Sequence, residues 1–519
     1  MASRQSEKDP TVNKNVTSIP TMQLGFASQT DDDIQLGHTS PNWSDWDGGK
    51  IGGRPSWLNP RDIPHEILRC RGACSTNSSE DEGTPLCFIT QLYCPGDDVR
   101  EEAFHRSIYV FACPTCCSGN SPLMQSVKDA STAETSNTGS PPKHSLSDCI
   151  QILRCQLPKQ NEFYPPKGDS GEKWIKHQSQ YWAQCGKDDK LNLCAVCGQR
   201  SRGKCPKQNK WFCGPNHQKE HLRAAKKLND ESTTNVPLKY LQSICYESEL
   251  VVEEEPKPSS PQYTENDVKQ KPKGLFEGEL TDADSTLEQV ELNAMTLSEA
   301  ATGVTDPTTL AFYARMAIGG EENDVRDQCL RYSRWPEDKI DAEDDDAEDV
   351  GPLWLASDNQ PPSQFPPPCQ YCGAARAFEF QILPQMLHYL FHDPQSSDKS
   401  GDSSSPVLTE AERAILLEAA SKIESGAELP PGFREQHEAA LAKARDALLG
   451  SGIDKNSPDG SKASLEWGTI AIYTCTASCG DGDVVSPREM KNLDASERER
   501  LRSLGAYREE VAWVQPPLD

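Results

Sequence analysis

The sequence contains no apolar run approaching the ~20 residues that a membrane-spanning helix needs. Residues 1–20 are polar and lack the apolar centre of a secretory signal. The expectation from these two absences is an intracellular chain, cytoplasmic with access to the nucleus left open, and with no membrane partner. Apolar residues are scarce throughout: 35% of 519 residues, with a mean hydropathy of -0.70. A large share of the chain therefore reads as solvated linker. Basic charge is also short, with 53 Lys and Arg against 80 Asp and Glu, a net charge of -27. Because a phosphate backbone repels carboxylates, direct nucleic-acid binding is not expected. A basic protein partner is the natural complement of such a surface, unless the charge only keeps solvated segments apart. No Gly-rich phosphate loop, nucleophile elbow or metalloprotease helix is present, so the chain reads as an interaction protein and not an enzyme.

Cysteine, by contrast, is plentiful, with twenty residues. In a reducing compartment close thiol pairs point to zinc instead of disulfides. One order of elements occurs twice. Cys70 and Cys74 precede an apolar stretch at 86–93, and a second at 107–112 leads into Cys113 and Cys117, with Cys116 the rival. Cys369 and Cys372 likewise precede a stretch at 377–383, and one at 469–474 leads into Cys475 and Cys479. Two knuckles at the ends of neighbouring strands can deliver four thiolates to one tetrahedral zinc, and the strand pair can carry a long insertion at its far end. The expected fold is α+β and β-rich: two related zinc-clamped β halves from an internal duplication, forming a cleft between them.

A third cluster differs. Cys194, Cys197, Cys213 and His217 match the first ligand set of a cross-braced MYND-type finger. The second set is broken, since Gln208, with two residues between it and Cys205, stands where a ligand is wanted, and nothing after His217 restores the closing pair. One zinc is expected here and three per chain, with Cys205 and His221 as remnants. The basic residues Arg200, Arg202, Lys204, Lys207 and Lys210 suggest a peptide-docking surface more than a nucleic-acid one, because interleaved aromatics are few.

Composition divides the chain into a solvated arm (1–20), an N-terminal β-rich half (21–190), the degenerate finger (191–225) and a return segment (226–246). An acidic linker (247–300) and a C-terminal domain (301–519) with an insertion at 392–464 follow. Residues 46–58, where paired glycines flank Trp46 and Trp57, read as tight backbone around a buried ring. The Ser-, Thr- and Gly-rich stretch 117–146 reads as a loop. Asp306-Pro307 opens a helix through Leu310, Phe312, Tyr313 and Met316, 338–349 is an acidic loop, and 409–423 and 433–449 have amphipathic helical patterns.

Leu24-Gly25-Phe26, Gly52-Gly53-Arg54-Pro55-Ser56-Trp57-Leu58, Gln156-Leu157-Pro158, Cys369-Gln370-Tyr371-Cys372-Gly373, Phe378-Glu379-Phe380-Gln381-Ile382-Leu383-Pro384 and Trp467-Gly468-Thr469 together resemble the programmed cell death protein 2 family, which includes the twenty-S rRNA accumulation factor of fungi. The resemblance implies a dedicated chaperone that captures a small-subunit ribosomal protein, the counterpart of bacterial protein S-five, for 40S ribosome biogenesis and rRNA maturation. An acidic monomeric holder suits so basic a client. The alternative is a nuclear adaptor whose MYND-like finger binds proline-containing peptides of transcription regulators. The broken second zinc set and the insertion after Phe391 depart from the family pattern.

Overall fold

The structure, a computed structural model, describes residues 22–28, 49–75, 83–96, 99–132, 144–161, 163, 192–228, 236, 240–241, 243–254, 308–309, 312, 328–333, 351–391, 465–480 and 494–518. The arm, the acidic block 338–349, Trp46 and both amphipathic patterns of the insertion lie outside these residues. So does most of the helix expected from Asp306, of which Thr308, Thr309 and Phe312 are helical.

Twelve strands are described: β1 (Gln23–Ser28), β2 (Gly49–Ile51), β3 (Cys87–Tyr93), β4 (His105–Ala112), β5 (Ile150–Leu157), β6 (Gly203–Cys205), β7 (Lys210–Phe212), β8 (Ser248–Glu254), β9 (Gln328–Tyr332), β10 (Arg376–Ile382), β11 (Thr469–Cys475) and β12 (Arg508–Gln515). Ten of them close into one barrel in the order β1-β8-β2-β3-β4-β5-β12-β11-β10-β9, while β6 and β7 pair by themselves. The four stretches expected as strands are β3, β4, β10 and β11. Their Ile, Val, Phe and Tyr content suits a pleated surface buried on both faces, and all of β11 is buried.

The two halves do not face each other across a cleft at their junctions. They meet as hydrogen-bonded strands of one sheet. At one seam β5 pairs antiparallel with β12, setting Arg154 opposite Arg508. At the other, β1 pairs with both β8 and β9. Strand β8 falls where composition indicated linker, and its alternation explains the difference. Ser248 and Leu250 are buried while Glu249, Val251 and Glu253 are exposed, a period-2 pattern that suits a barrel stave however acidic its outer face.

Within each half the central hairpin has the same register. Phe88 pairs with Phe111 and Thr90 with Val110, with a bulge between Phe88 and Thr90. Phe378 pairs with Tyr473 and Phe380 with Ile472, with a bulge between Phe378 and Phe380. The residues within the bulges are Ile89 and Glu379, both fully buried. Arg106 on β4 donates to both Glu379 oxygens, at 2.5 and 2.8 Å. Since β4 and β10 lie four places apart in the ring, this pair spans the lumen. Glu510 on β12 accepts from Arg154 at 2.7 Å and from Arg376 at 2.9 Å, again between fully buried side chains. Burial opposes the charge on Arg106, but Glu379 and Cys94 outweigh it and hold its pKa above the ordinary arginine value. Buried charges persist only where they are paired in this way.

Among the described residues four α-helices can be given bounds, all outside the sheet: α1 (Pro122–Thr132), α2 (Pro215–Lys227), α3 (Met386–Phe391) and α4 (Ala495–Ser503). Helix α1 occupies part of the stretch expected to be loop, because Leu123 and Met124 find core to bury against. Among the described residues no helix is long and apolar enough to cross a membrane.

Candidate metal centres

The loop before β3 and the turn after β4 bring Cys70, Cys74, Cys113 and Cys116 together. Cys369, Cys372, Cys475 and Cys479 converge in the same way at the ends of β10 and β11. Both clusters pair first with last and second with third. Cys70 lies 3.8 Å from Cys116 and Cys74 3.7 Å from Cys113. Cys369 lies 3.7 Å from Cys479 and Cys372 3.5 Å from Cys475. A zinc–thiolate bond of about 2.3 Å in a tetrahedron sets sulfur–sulfur edges of about 3.8 Å. The donor sets therefore fit such an ion, and every described cysteine is a free thiol.

Cys117, the residue expected from the sequence, is not in the cluster, and Cys116 takes its place. The hairpin registers make Cys117 equivalent to Cys479. The turn after β4 nevertheless closes one residue earlier, with the Cys116 amide donating to Cys113 Sγ at 3.4 Å. The first knuckle compensates, with three residues between Cys70 and Cys74 against two between Cys369 and Cys372. Cys117 is instead packed in the core, where burial raises its thiol pKa.

The finger is built from the β6–β7 hairpin and α2. Cys194, Cys197, Cys213 and His217 lie together, with Cys197 Sγ 3.8 Å from Cys213 Sγ. His217 Nδ1 is 3.5 Å from Cys194 Sγ and 3.0 Å from Cys213 Sγ. Where a second ligand set would stand, hydrogen bonds take over. Gln218 Nε2 donates to Cys205 Sγ at 3.1 Å, and Gln208 Nε2 lies 3.0 Å from His221 Nδ1. One turn beyond His221 stands buried Ala225. Burial, with the charges of Lys210 and Arg54 nearby, lowers the His221 pKa to about 4, so the ring is neutral at physiological pH.

The glycine- and tryptophan-rich loop fastens this finger to the barrel. Arg54 donates to Val196 O at 2.9 Å and Ala195 O at 2.6 Å. Trp57 Nε1 donates to Gly198 O at 2.9 Å while its ring stacks on Tyr109 and Phe111. Gly52 and Gly53 have φ of +64° and +66°, and a Cβ on Gly52 would lie 1.8 Å from Tyr246 O. Only glycine fits that approach.

The comparisons fall on the two halves that share the barrel. The family model described as Programmed cell death protein 2, N-terminal domain, matches residues 21–170. That of Programmed cell death protein 2, C-terminal putative domain, matches residues 321–411. The chain belongs to the programmed cell death protein 2 family. It is similar to Programmed cell death protein 2 of Bos taurus, 27% identical over 385 residues, covering 71% of this chain and 88% of that protein. The Rattus norvegicus protein is 27% identical over 388 residues, covering 72% and 86%, and the Mus musculus protein is 26% identical with the same coverage. No solved structure matches the chain.

Sequence reasoning missed the charged residues behind the C-terminal cluster. Arg154 Nη2 lies 3.7 Å from Cys479 Sγ, and Glu510 accepts from the Cys475 amide at 3.2 Å. A charged residue on a strand is ordinarily expected on a solvated face, and closure of the barrel turns Arg154 and Glu510 inward.

Proposed function

We propose that this protein is a zinc-clamped holder for a basic small-subunit ribosomal protein, the counterpart of bacterial protein S-five, acting in 40S assembly in the cytoplasm. The observation that carries this reading is that each of the three clusters brings four protein donor atoms within 4.8 Å of one another. Four protein ligands leave no open coordination position, which is the pattern of a structural zinc and not a catalytic one. The two β halves descend from a duplication on this reading, because their hairpins share register, bulge and cluster position. The finger is a MYND-like module reduced to one zinc.

Family membership supports the client class through the resemblance, and the net charge of -27 supports a basic one. Since a closed barrel has no free strand edge, the client is held on outer faces and loops and not by adding a strand to the barrel. Affinity purification of the tagged chain from cell extract tests this. One small-subunit ribosomal protein at near-stoichiometric level is expected, with three zincs per chain by metal analysis. A broad mixture of proteins would sink the dedicated-chaperone reading, and a zinc content of one or none would sink the clamp.

A further inference from the structure

The finger carries charge opposite to that of the chain around it. From Cys194 to Lys227 there are nine lysines and arginines against one carboxylate, Glu220. That carboxylate is buried and accepts from the Ser243 amide at 2.8 Å. Helix α2 is divided accordingly. Glu220, His221, Ala224 and Ala225 face inward, while Lys219, Leu222, Arg223, Lys226 and Lys227 are exposed and line a shallow groove. Their spacing of three and four puts them on one stripe. The helix dipole accounts for cations in the last turn, where Lys226 and Lys227 sit. It does not account for Lys219 two turns earlier, or for Leu222, one of three large hydrophobic side chains exposed among the described residues.

We propose that this stripe is the docking face for the chain's own segment 275–292, which lies outside the described residues. That segment has six carboxylates and no basic residue, interleaved with Leu275, Phe276, Leu280, Leu287, Val290 and Leu292. It supplies negative charge opposite Lys219, Lys226 and Lys227 and an apolar partner for Leu222. The other acidic block, 338–349, has charge but a single large apolar residue, Ile340. RNA supplies phosphate charge but no aliphatic side chain.

The tether is favourable as well. The chain leaves the finger along Ser243, which is bonded to α2, and passes through β8 to Glu254. The 21 residues from there to Leu275 can span about 70 Å when extended. Tethering raises the effective concentration of this segment over any free competitor. Docked there, 275–292 shields the cationic stripe of α2 from cellular polyanions, the contact that phosphate electrostatics would otherwise favour.

Carbodiimide coupling joins carboxylates to the lysines they touch, and mass spectrometry of the full chain, mixed light and heavy in isotope, identifies the pairs. Expected are links from Lys219, Lys226 and Lys227 to Glu277, Glu279, Asp282, Asp284, Glu288 or Glu291 within one chain. Leu222→Ser, a change at an exposed position, should lower their yield at least about threefold. Links to 338–349 alone, links only between light and heavy chains, or none at all would overturn the proposal. As a second readout, the full chain with those six carboxylates changed to amides should bind a fluorescent single-stranded RNA about tenfold more tightly at low salt. Equal binding by the two chains would overturn it too.

Discussion

Cys116 and Cys117 are neighbours, both buried, yet only Cys116 reaches the cluster. Which of two adjacent thiols is placed to bind a metal depends on where a turn closes, here marked by the Cys116 amide donating to Cys113 Sγ. The consequence is measurable at single-residue level. Cys116→Ser should remove one zinc equivalent per chain and destabilise the N-terminal half. Cys117→Ser should keep full metal content and cost about 1 kcal/mol, the ordinary penalty of a small change in a packed core. Metal analysis of the two purified variants checks this, and equal losses from both would assign the ligand wrongly. His217 follows the opposite logic, since its spacing four residues beyond Cys213 on the first turn of a helix leaves its ring little choice.

At the level of elements, the finger is held by a loop and not by a shared sheet. Arg54 satisfies two knuckle carbonyls, Trp57 a third, and Gln199 bridges back to the Leu68 amide and the Leu86 carbonyl. A hydrogen bond from a charged donor contributes on the order of 1.5–3 kcal/mol. Arg54→Ala should therefore loosen the finger selectively. Hydrogen exchange is expected to speed up for amides in 194–213 while those of β4 keep their protection. Uniform acceleration across both would mean that the finger and the barrel open as one unit. The same elements mark what sequence reasoning could reach. Strands β3, β4, β10 and β11 were legible because each is an apolar run bounded by turns. Strand β8 was hidden by its carboxylates, and β5 and β12 by charged residues that belong to the lumen.

Over the whole molecule, two seams make one barrel from two halves, and the pairs Arg106–Glu379 and Arg154–Glu510 tie the halves together through its interior. Removing one partner leaves a buried, uncompensated charge, a loss of about 3–5 kcal/mol. Arg106→Met should lower the unfolding free energy by that much, read as a lower denaturant midpoint in a single transition. Probes placed in either half should report the same midpoint, because neither half has a complete sheet without the other. Two separated transitions would show that the halves fold independently.

The sequence by itself marked the candidate centres: eleven of the twelve residues gathered into the three clusters, and the β-rich class, follow from residue type and spacing. Ligand identity is local, since thiolates three or four residues apart must lie near one another. Tertiary structure alone decided that the halves close into one barrel, that Cys116 replaces Cys117, and that charged strand residues turn inward. Each of those depends on which strands meet, and strand pairing joins residues hundreds of positions apart that carry no mark of their partner.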